Sequence, residues 1–362
     1  MKVLIINGSI LYIYELALGL YNQGIDVSII IFKENYNKLF YDNRIKILPI
    51  LESKDNYFNI INKIKNYIKK EGFDILHFHS TFSPRRDWLF LPNLFKNFIY
   101  TAHNIIPHEV AFGEVLALRI FYNRLSKIIV HGKRNKEELI NRFGVSDNKI
   151  YIIPHGAFTF YKRFVQDITK EEARLKLGLP LDKKILLFFG VIRKIKGLEY
   201  LFFAYRELLK DFRDVFLAVC GMPLGVSIER YKRLIDKLNI KDKLYFNPNF
   251  IPIEDVGLYF KSADLVVLPY IRITDSGVAK TAISFGLPIV ASDVGALNET
   301  VIDNKNGFLV KPKDIEGLKF AIYRILKDKD LAVSMSDFSL KLTKEFNWDN
   351  IAKKTIEVYK NG

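Results

Sequence analysis

Cysteine is almost missing from this chain: Cys220 is the single one in 362 residues. That excludes a disulfide framework and favours a reducing compartment. No stretch reaches the roughly 18 uninterrupted apolar residues that a membrane-spanning helix needs. The opening MKVLIINGS has too short an apolar run for a secretory leader and reads instead as a strand entering a glycine turn. A long basic tail and any recognisable nucleic-acid motif are also lacking, although the net charge is +15 and the pI about 9.5. The lysines are scattered, so the charge leaves nucleic acid, an anionic membrane surface, anionic small substrates and a plain lysine-rich composition open. Nor is there a dedicated carboxylate pair of the kind that cleaves glycosides.

What is present is ample apolar material, 49% hydrophobic and 14% aromatic, in a length that suggests two domains. Strand-like runs alternate with helical periods throughout, the pattern of an α/β chain with parallel sheets. Strands are expected at 2–7, 27–32, 73–78, 98–102, 127–131 and 150–153, then at 184–189, 215–220, 243–247, 264–268, 288–291 and 307–310. A change of character over 157–183 places the boundary near residue 163. The expected division is 1–163, 164–340 and a final helical segment, 341–362, that packs back across the junction.

Two segments keep two readings each. Residues 57–70 form an amphipathic helix with Phe58, Ile61, Ile64 and Ile68 on one face, suited to a sheet or to a membrane surface. Residues 82–98 mix aromatics with Arg85 and Arg86 around Pro84 and Pro92, suited to a core helix or to a lipid or acceptor head group. His77 and His79 close one strand on the same face, and His103 follows the next, with Pro107, His108 and Glu109 just beyond. Strand C-termini are where ligands bind in open parallel sheets.

The stretch from Leu186 to Leu198 runs from a buried strand through Gly190 and a basic turn to a helix starting near Gly197. Free backbone N–H groups and the helix dipole suit such a turn to a phosphate or diphosphate, and Arg193 and Lys196 add cations. An ordinary strand–helix connection with solvated basic residues fits the same letters. A second helix start lies at Asp275, Ser276 and Gly277, after the buried strand LVVL. Two such starts in one α/β domain could converge on one diphosphate.

These residues carry a resemblance. FFGVIRKIKGLEYL, ADLVVLPY, SGVAKTAISFGLPIVASDVGALNETV and NGFLV resemble the second domain of glycosyltransferase family 4. YTAHNIIPHE and IIVHGKRNKEELINRFGVSDNKIYIIPHG resemble its first domain, particularly in bacterial members that build surface polysaccharides. The resemblance implies the GT-B fold, two Rossmann-like domains facing a cleft, with the donor held mainly by the second. It implies retaining transfer without a metal or other cofactor, the leaving phosphate helping to deprotonate the acceptor.

Residue by residue, it implies that Arg193 and Lys196 meet the donor diphosphate beside Gly190, and that His103 lies near the transferred sugar. Asp275, Ser276, Gly277 and Val278 match the segment whose backbone N–H groups meet the phosphates and sugar. The chain departs from the family at Val191, where an arginine is common, and in lacking the Glu-x7-Glu signature. Ile273 and Thr281 stand at the two glutamate positions, which leaves the ribose contact to Thr281 or to a substitute such as Glu299 or Asp275.

The expectation is a hexosyltransferase using a UDP- or GDP-sugar and a glycan or lipid-linked glycan acceptor. It would be cytoplasmic, peripheral on the inner membrane face, with no nucleic-acid partner. Two rivals remain: a sugar-nucleotide epimerase on the same fold, and a non-catalytic binder of anionic ligands including nucleic acid.

Overall fold

A computed structural model describes residues 1–36, 43–83, 86–87, 91–93, 97–106 and 114–361. Its contacts divide the chain into two compact units, Met1–Gly156 with Phe346–Gly362, and Ala157–Glu345. The division falls at 156/157, ahead of the expected 163/164. The reason is local packing: Phe158 lies against Gly277, and the Ser284 hydroxyl donates to the Phe158 carbonyl at 2.9 Å, tying 157–164 to the second unit.

The first unit holds a parallel sheet of seven described strands: β1 (Lys2–Ile6), β2 (Asp26–Phe32), β3 (Lys46–Leu51), β4 (Ile75–Phe78), β5 (Phe98–Thr101), β6 (Lys127–Val130) and β7 (Ile150–Ile152). Their order is β3-β2-β1-β4-β5-β6-β7. Helices α1 (Ile10–Asn22), α2 (Tyr57–Glu71), α3 (Glu114–Arg124) and α4 (Lys133–Phe143) connect them. Continuous apolar strands such as VLII, all fully buried at Val3–Ile6, suit a sheet covered on both faces.

Strand β3 is not among the expected strands. Its sequence, KILPIL, carries Pro49 and sits at the sheet edge, where a missing N–H is tolerated. Helix α2 starts at Asn56, whose side chain accepts from the Asn59 N–H at 3.0 Å, and ends at Gly72. It buries Tyr57, Ile60, Ile61 and Ile64 in the core. Phe58, expected on that face, is 54% exposed instead, because the buried stripe runs through 57, 60, 61 and 64. Arg86 lies over the Tyr57 and Phe58 rings. Pro84, Arg85, Pro107, His108 and Glu109 lie outside the described residues.

The second unit holds β8 (Lys184–Phe189), β9 (Val215–Cys220), β10 (Leu244–Asn247), β11 (Leu265–Leu268), β12 (Ile289–Ser292) and β13 (Gly307–Val310), all parallel, in the order β10-β9-β8-β11-β12-β13. Its helices are α5 (Lys170–Leu177), α6 (Leu198–Asp211), α7 (Ile228–Lys237), α8 (Ile253–Ser262), α9 (Gly277–Ser284), α10 (Ile315–Lys327) and α11 (Lys329–Glu345). Cys220 is buried as a free thiol at the end of β9.

The last helix, α12 (Trp348–Lys360), belongs to the first unit. It packs on α1, where Asn22 Nδ2 donates to Asp349 Oδ1 at 3.0 Å, and Lys127 Nζ donates to the Val358 carbonyl at 2.8 Å. No helix among the described residues is long and apolar enough to cross a membrane.

Candidate functional site

In the second unit the strand order reverses between β8 and β11: the chain builds outward to β9 and β10 on one side, and to β12 and β13 on the other. Loops leaving two adjacent strands in opposite directions open a crevice at their C-terminal ends, the usual ligand position in such sheets. The two helix starts read from the sequence lie on its two sides.

After β8, the Gly190 N–H donates to the Cys220 carbonyl at 2.9 Å with φ +105°. A Cβ there would come 3.3 Å from Val278 Cγ2, so the first turn of α9 lies against this glycine. Arg193 is extended and opens a short 3-10 turn, Lys194–Lys196, in which the Lys196 N–H donates to the Arg193 carbonyl at 2.9 Å. Gly197, at φ +65°, begins α6, and a Cβ on it would collide with the Pro269 carbonyl after β11. The Ile271 N–H donates to the Ile195 carbonyl at 2.8 Å, joining the two loops. Lys196 Nζ lies 3.6 Å from the centre of the Tyr270 ring. Both Arg193 and Lys196 are part-exposed cations, free of carboxylate partners among the described residues.

After β11, Ser276 caps α9: its Oγ accepts from the Ala279 N–H at 3.4 Å, while its own N–H donates to Asp275 Oδ1 at 2.7 Å. The N–H groups of Gly277 and Val278 open the helix, ahead of any intrahelical acceptor. Thr281 is buried one turn on, and its hydroxyl donates to the Gly277 carbonyl at 2.9 Å. It is turned into the helix. Glu299 is part-exposed in a 3-10 turn after β12.

The same helix, α9, buries a lysine that the sequence does not single out. Lys280 is only 2% exposed, and burial lowers its pKa against the opposing pull of Asp275 and Glu299. A lysine inside the apolar period SGVAKTAIS was the available signal. The charges of Asp275 and Glu299, on the loops after β11 and β12, oppose that lowering.

His103 belongs to the first unit, within a second cluster. Four successive strands, β4 to β7, carry histidines at their C-terminal ends or within three residues beyond them: His77 and His79, His103, His131 and His155. Parallel strands place those ends in a row. Tyr12 of α1 stands among them, with its ring 4.5 Å from His103 and 4.7 Å from His155, centre to centre. His79 Nδ1 lies 3.1 Å from His103 Nε2, and His103 Nδ1 lies 2.9 Å from His131 Nε2. His131 Nδ1 donates to the Ile153 carbonyl at 3.0 Å. His77 is bonded to Tyr359 and Thr101 hydroxyls, both at 2.7 Å. Burial pushes His77 down to about 3, and pushes His79 and His103 well below the usual imidazole range. These three rings are therefore neutral at pH 7 and carry no positive charge. His131 and His155 were not singled out in the sequence, although a histidine closing each of four strands was there to see.

The structure thus gathers Gly190, Arg193, Lys196, Asp275, Ser276, Gly277, Val278 and Glu299 on loops at one sheet end, and turns Thr281 inward. His103 belongs to the first unit.

Comparison with known proteins gives consistent matches. Residues 6–159 match the family described as Glycosyltransferase Family 4, and residues 169–341 match Glycosyl transferases group 1. A D-inositol 3-phosphate glycosyltransferase of Corynebacterium urealyticum is 25% identical over 307 residues, 80% of this chain and 72% of the relative. Among solved structures, sucrose-phosphate synthase from Thermosynechococcus elongatus superposes with a TM-score of 0.78 at 22% identity, covering 99% of this chain and 98% of that one. Anabaena Alr3699/HepE in complex with UDP and glucose gives a TM-score of 0.74 at 16% identity, covering 99% of both chains.

Proposed function

The chain belongs to glycosyltransferase family 4, with the GT-B fold, and from that premise we propose that it moves a hexose from a UDP- or GDP-sugar to a glycan acceptor. The acceptor is lipid-linked, on the inner face of the cell membrane, in the building of a surface polysaccharide. Transfer retains the anomeric configuration and calls on no metal.

One observation supports the donor reading: the loop carrying Arg193 and Lys196 after β8 and the start of α9 after β11 leave adjacent strands on the two sides of the reversal. Cleaving a sugar from a nucleotide diphosphate puts negative charge on the leaving phosphate. The guanidinium, the ammonium and the N–H groups of Gly277 and Val278 are preorganised for that charge, and the dipole of α9 adds to them. The bond from the anomeric carbon to the diphosphate oxygen breaks as the bond to the acceptor oxygen forms. The acceptor proton passes to a leaving-phosphate oxygen on the same face.

The ribose falls to Glu299 in this reading. Asp275 already receives the Ser276 N–H, and the Thr281 hydroxyl is committed to the Gly277 carbonyl. UDP is the nucleotide bound by the Anabaena neighbour, which supports including UDP-sugars first. The lipid-linked acceptor rests on the charge of +15, since basic residues near anionic lipid contribute roughly 1 kcal/mol each.

Thermal-shift titration with UDP- and GDP-hexoses tests the donor. A ligand at a hundred times its Kd stabilises the folded state by about 2.7 kcal/mol. We expect one sugar nucleotide to raise the melting temperature, and Arg193→Ala to remove that rise. If none stabilises the protein, the donor reading fails. Acceptor assays then compare lipid-linked glycans with D-inositol 3-phosphate, the compound named for the corynebacterial relative.

A further inference from the structure

One backbone carbonyl dictates the chemistry of three histidines. The Ile153 carbonyl can only accept, so His131 Nδ1, 3.0 Å away, carries the hydrogen. A neutral imidazole protonated there has a lone pair at Nε2. His103 Nδ1, at 2.9 Å from that lone pair, must donate to it. His103 Nε2 is then a lone pair in turn, and His79 Nδ1 donates to it across 3.1 Å. His79 Nε2 ends the series as a buried acceptor that receives no hydrogen bond among the described residues. The alternation takes each ring as neutral, donating once and accepting once, and burial holds His79 and His103 well below the usual imidazole range.

Of the three rings, His79 and His131 are buried, at 1% and 2% exposure, while His103 is part-exposed. A ligand reaching this chain of rings therefore meets His103. We propose that His131 is a positioning residue for sugar recognition: anchored on the Ile153 carbonyl, it locks His103 as the Nδ1–H tautomer and so makes His103 Nε2 a hydrogen-bond acceptor. A sugar hydroxyl, which can donate, satisfies that nitrogen in place of His79. A sugar carboxylate, which can only accept, does not. The site consequently selects neutral hexose donors over uronic acid donors. The inference rests on the reading that His103 faces the transferred sugar.

Nitrogen-15 NMR of the histidine-labelled whole protein tests the tautomers directly. Three rings, assigned by single substitution, should show a protonated Nδ1 and a bare Nε2. An Nε2–H signal for His103 overturns the proposal. The functional arm measures affinity for UDP-glucose, GDP-mannose and UDP-glucuronic acid by calorimetry. His131→Leu removes the acceptor that holds His103 and frees it to turn to the Nε2–H tautomer. His131→Gln can still accept from His103 Nδ1 through its amide oxygen.

We expect His131→Leu to weaken the favoured hexose nucleotide roughly ten- to hundredfold, the range for an unmade buried hydrogen bond, and to narrow its margin over UDP-glucuronic acid. His131→Gln should restore both affinity and margin to within about fivefold of the parent, a loss of at most about 1 kcal/mol. Equal losses in the two variants, with both still folded by their NMR spectra, overturn the proposal. His103→Ala separates the two levels: unchanged hexose affinity and selectivity there refute the underlying reading of His103, whatever the tautomers prove to be.

Discussion

Lys196 holds its Nζ 3.6 Å from the centre of the Tyr270 ring, so a cation from the loop after β8 rests on an aromatic face from the loop after β11. The ring limits where the ammonium can go without neutralising it, and contributes about 0.5–2 kcal/mol to keeping it there. Lys196→Ala should lower sugar transfer roughly a hundred- to a thousandfold, corresponding to about 2–4 kcal/mol of lost stabilisation of the leaving phosphate. Melting temperature should stay close to the parent's, since the side chain is part-exposed. Steady-state rates beside a thermal melt check it, and a near-normal rate would remove Lys196 from the diphosphate site.

Gly197 has no room for a side chain. At φ +65° it faces the Pro269 carbonyl, so Gly197→Ala combines left-handed strain with a backbone collision. We expect a stability loss of roughly 2–4 kcal/mol together with a loss of donor-induced stabilisation, because the Arg193–Lys196 turn must shift. Denaturant titration with and without the sugar nucleotide measures both. A variant of parental stability would contradict the packing described.

Buried Lys280 depends on the acidic groups around it. Glu299→Gln should leave its charge less compensated and destabilise the protein by roughly 1–3 kcal/mol, whereas Lys280→Met in the same background should recover part of the loss. A double-mutant cycle by chemical denaturation gives the coupling. Strict additivity would mean that the two side chains do not interact.

Acid should weaken the fold through the neutral histidines. His77, His79 and His103 are held below the ordinary imidazole value of about 6.5, so below that pH the unfolded chain takes up protons that the folded chain refuses. The stability lost appears as pH falls through about 6.5. It continues down to about 3 for His77, and at pH 5 amounts to about 2 kcal/mol for that residue. Asp87, raised to about 7 by burial, works in the opposite direction. Unfolding free energies at pH 7.5, 6 and 5 should decline for the parent, and unfolding of His77→Asn at pH 5 should take up about one proton fewer than the parent. An unchanged slope would show that His77 titrates normally in the fold.

Much of the architecture was legible because both sheets are parallel and covered on both faces. Runs such as ILLFF and LVVL have few other uses, and β8 and β9 lie where the apolar letters put them. Strand β3 escaped because Pro49 and an edge position blur that pattern. The donor loops could be read because each rests on local signals, a glycine turn with two cations at 190–197 and a capped helix start at 275–278. Phe58 was assigned to the wrong side of α2 because helical spacing alone does not say which neighbouring stripe meets the sheet.

The sequence by itself determined the strand–helix alternation, the two helix starts and the family, since each depends on residues close together in the chain. Tertiary structure decided what those residues meet. Strand order set the reversal between β8 and β11, which brings Gly190 against Val278 across more than eighty residues of chain. It turned the Thr281 hydroxyl into its own helix and buried Lys280, within reach of the charges of Asp275 and Glu299. It also aligned the ends of β4 to β7, so that His79, His103 and His131, far apart in the chain, lie in one hydrogen-bonded row. Hydrogen-bond partners and desolvation are set by which strands lie side by side, and that order is written in no single stretch of the chain.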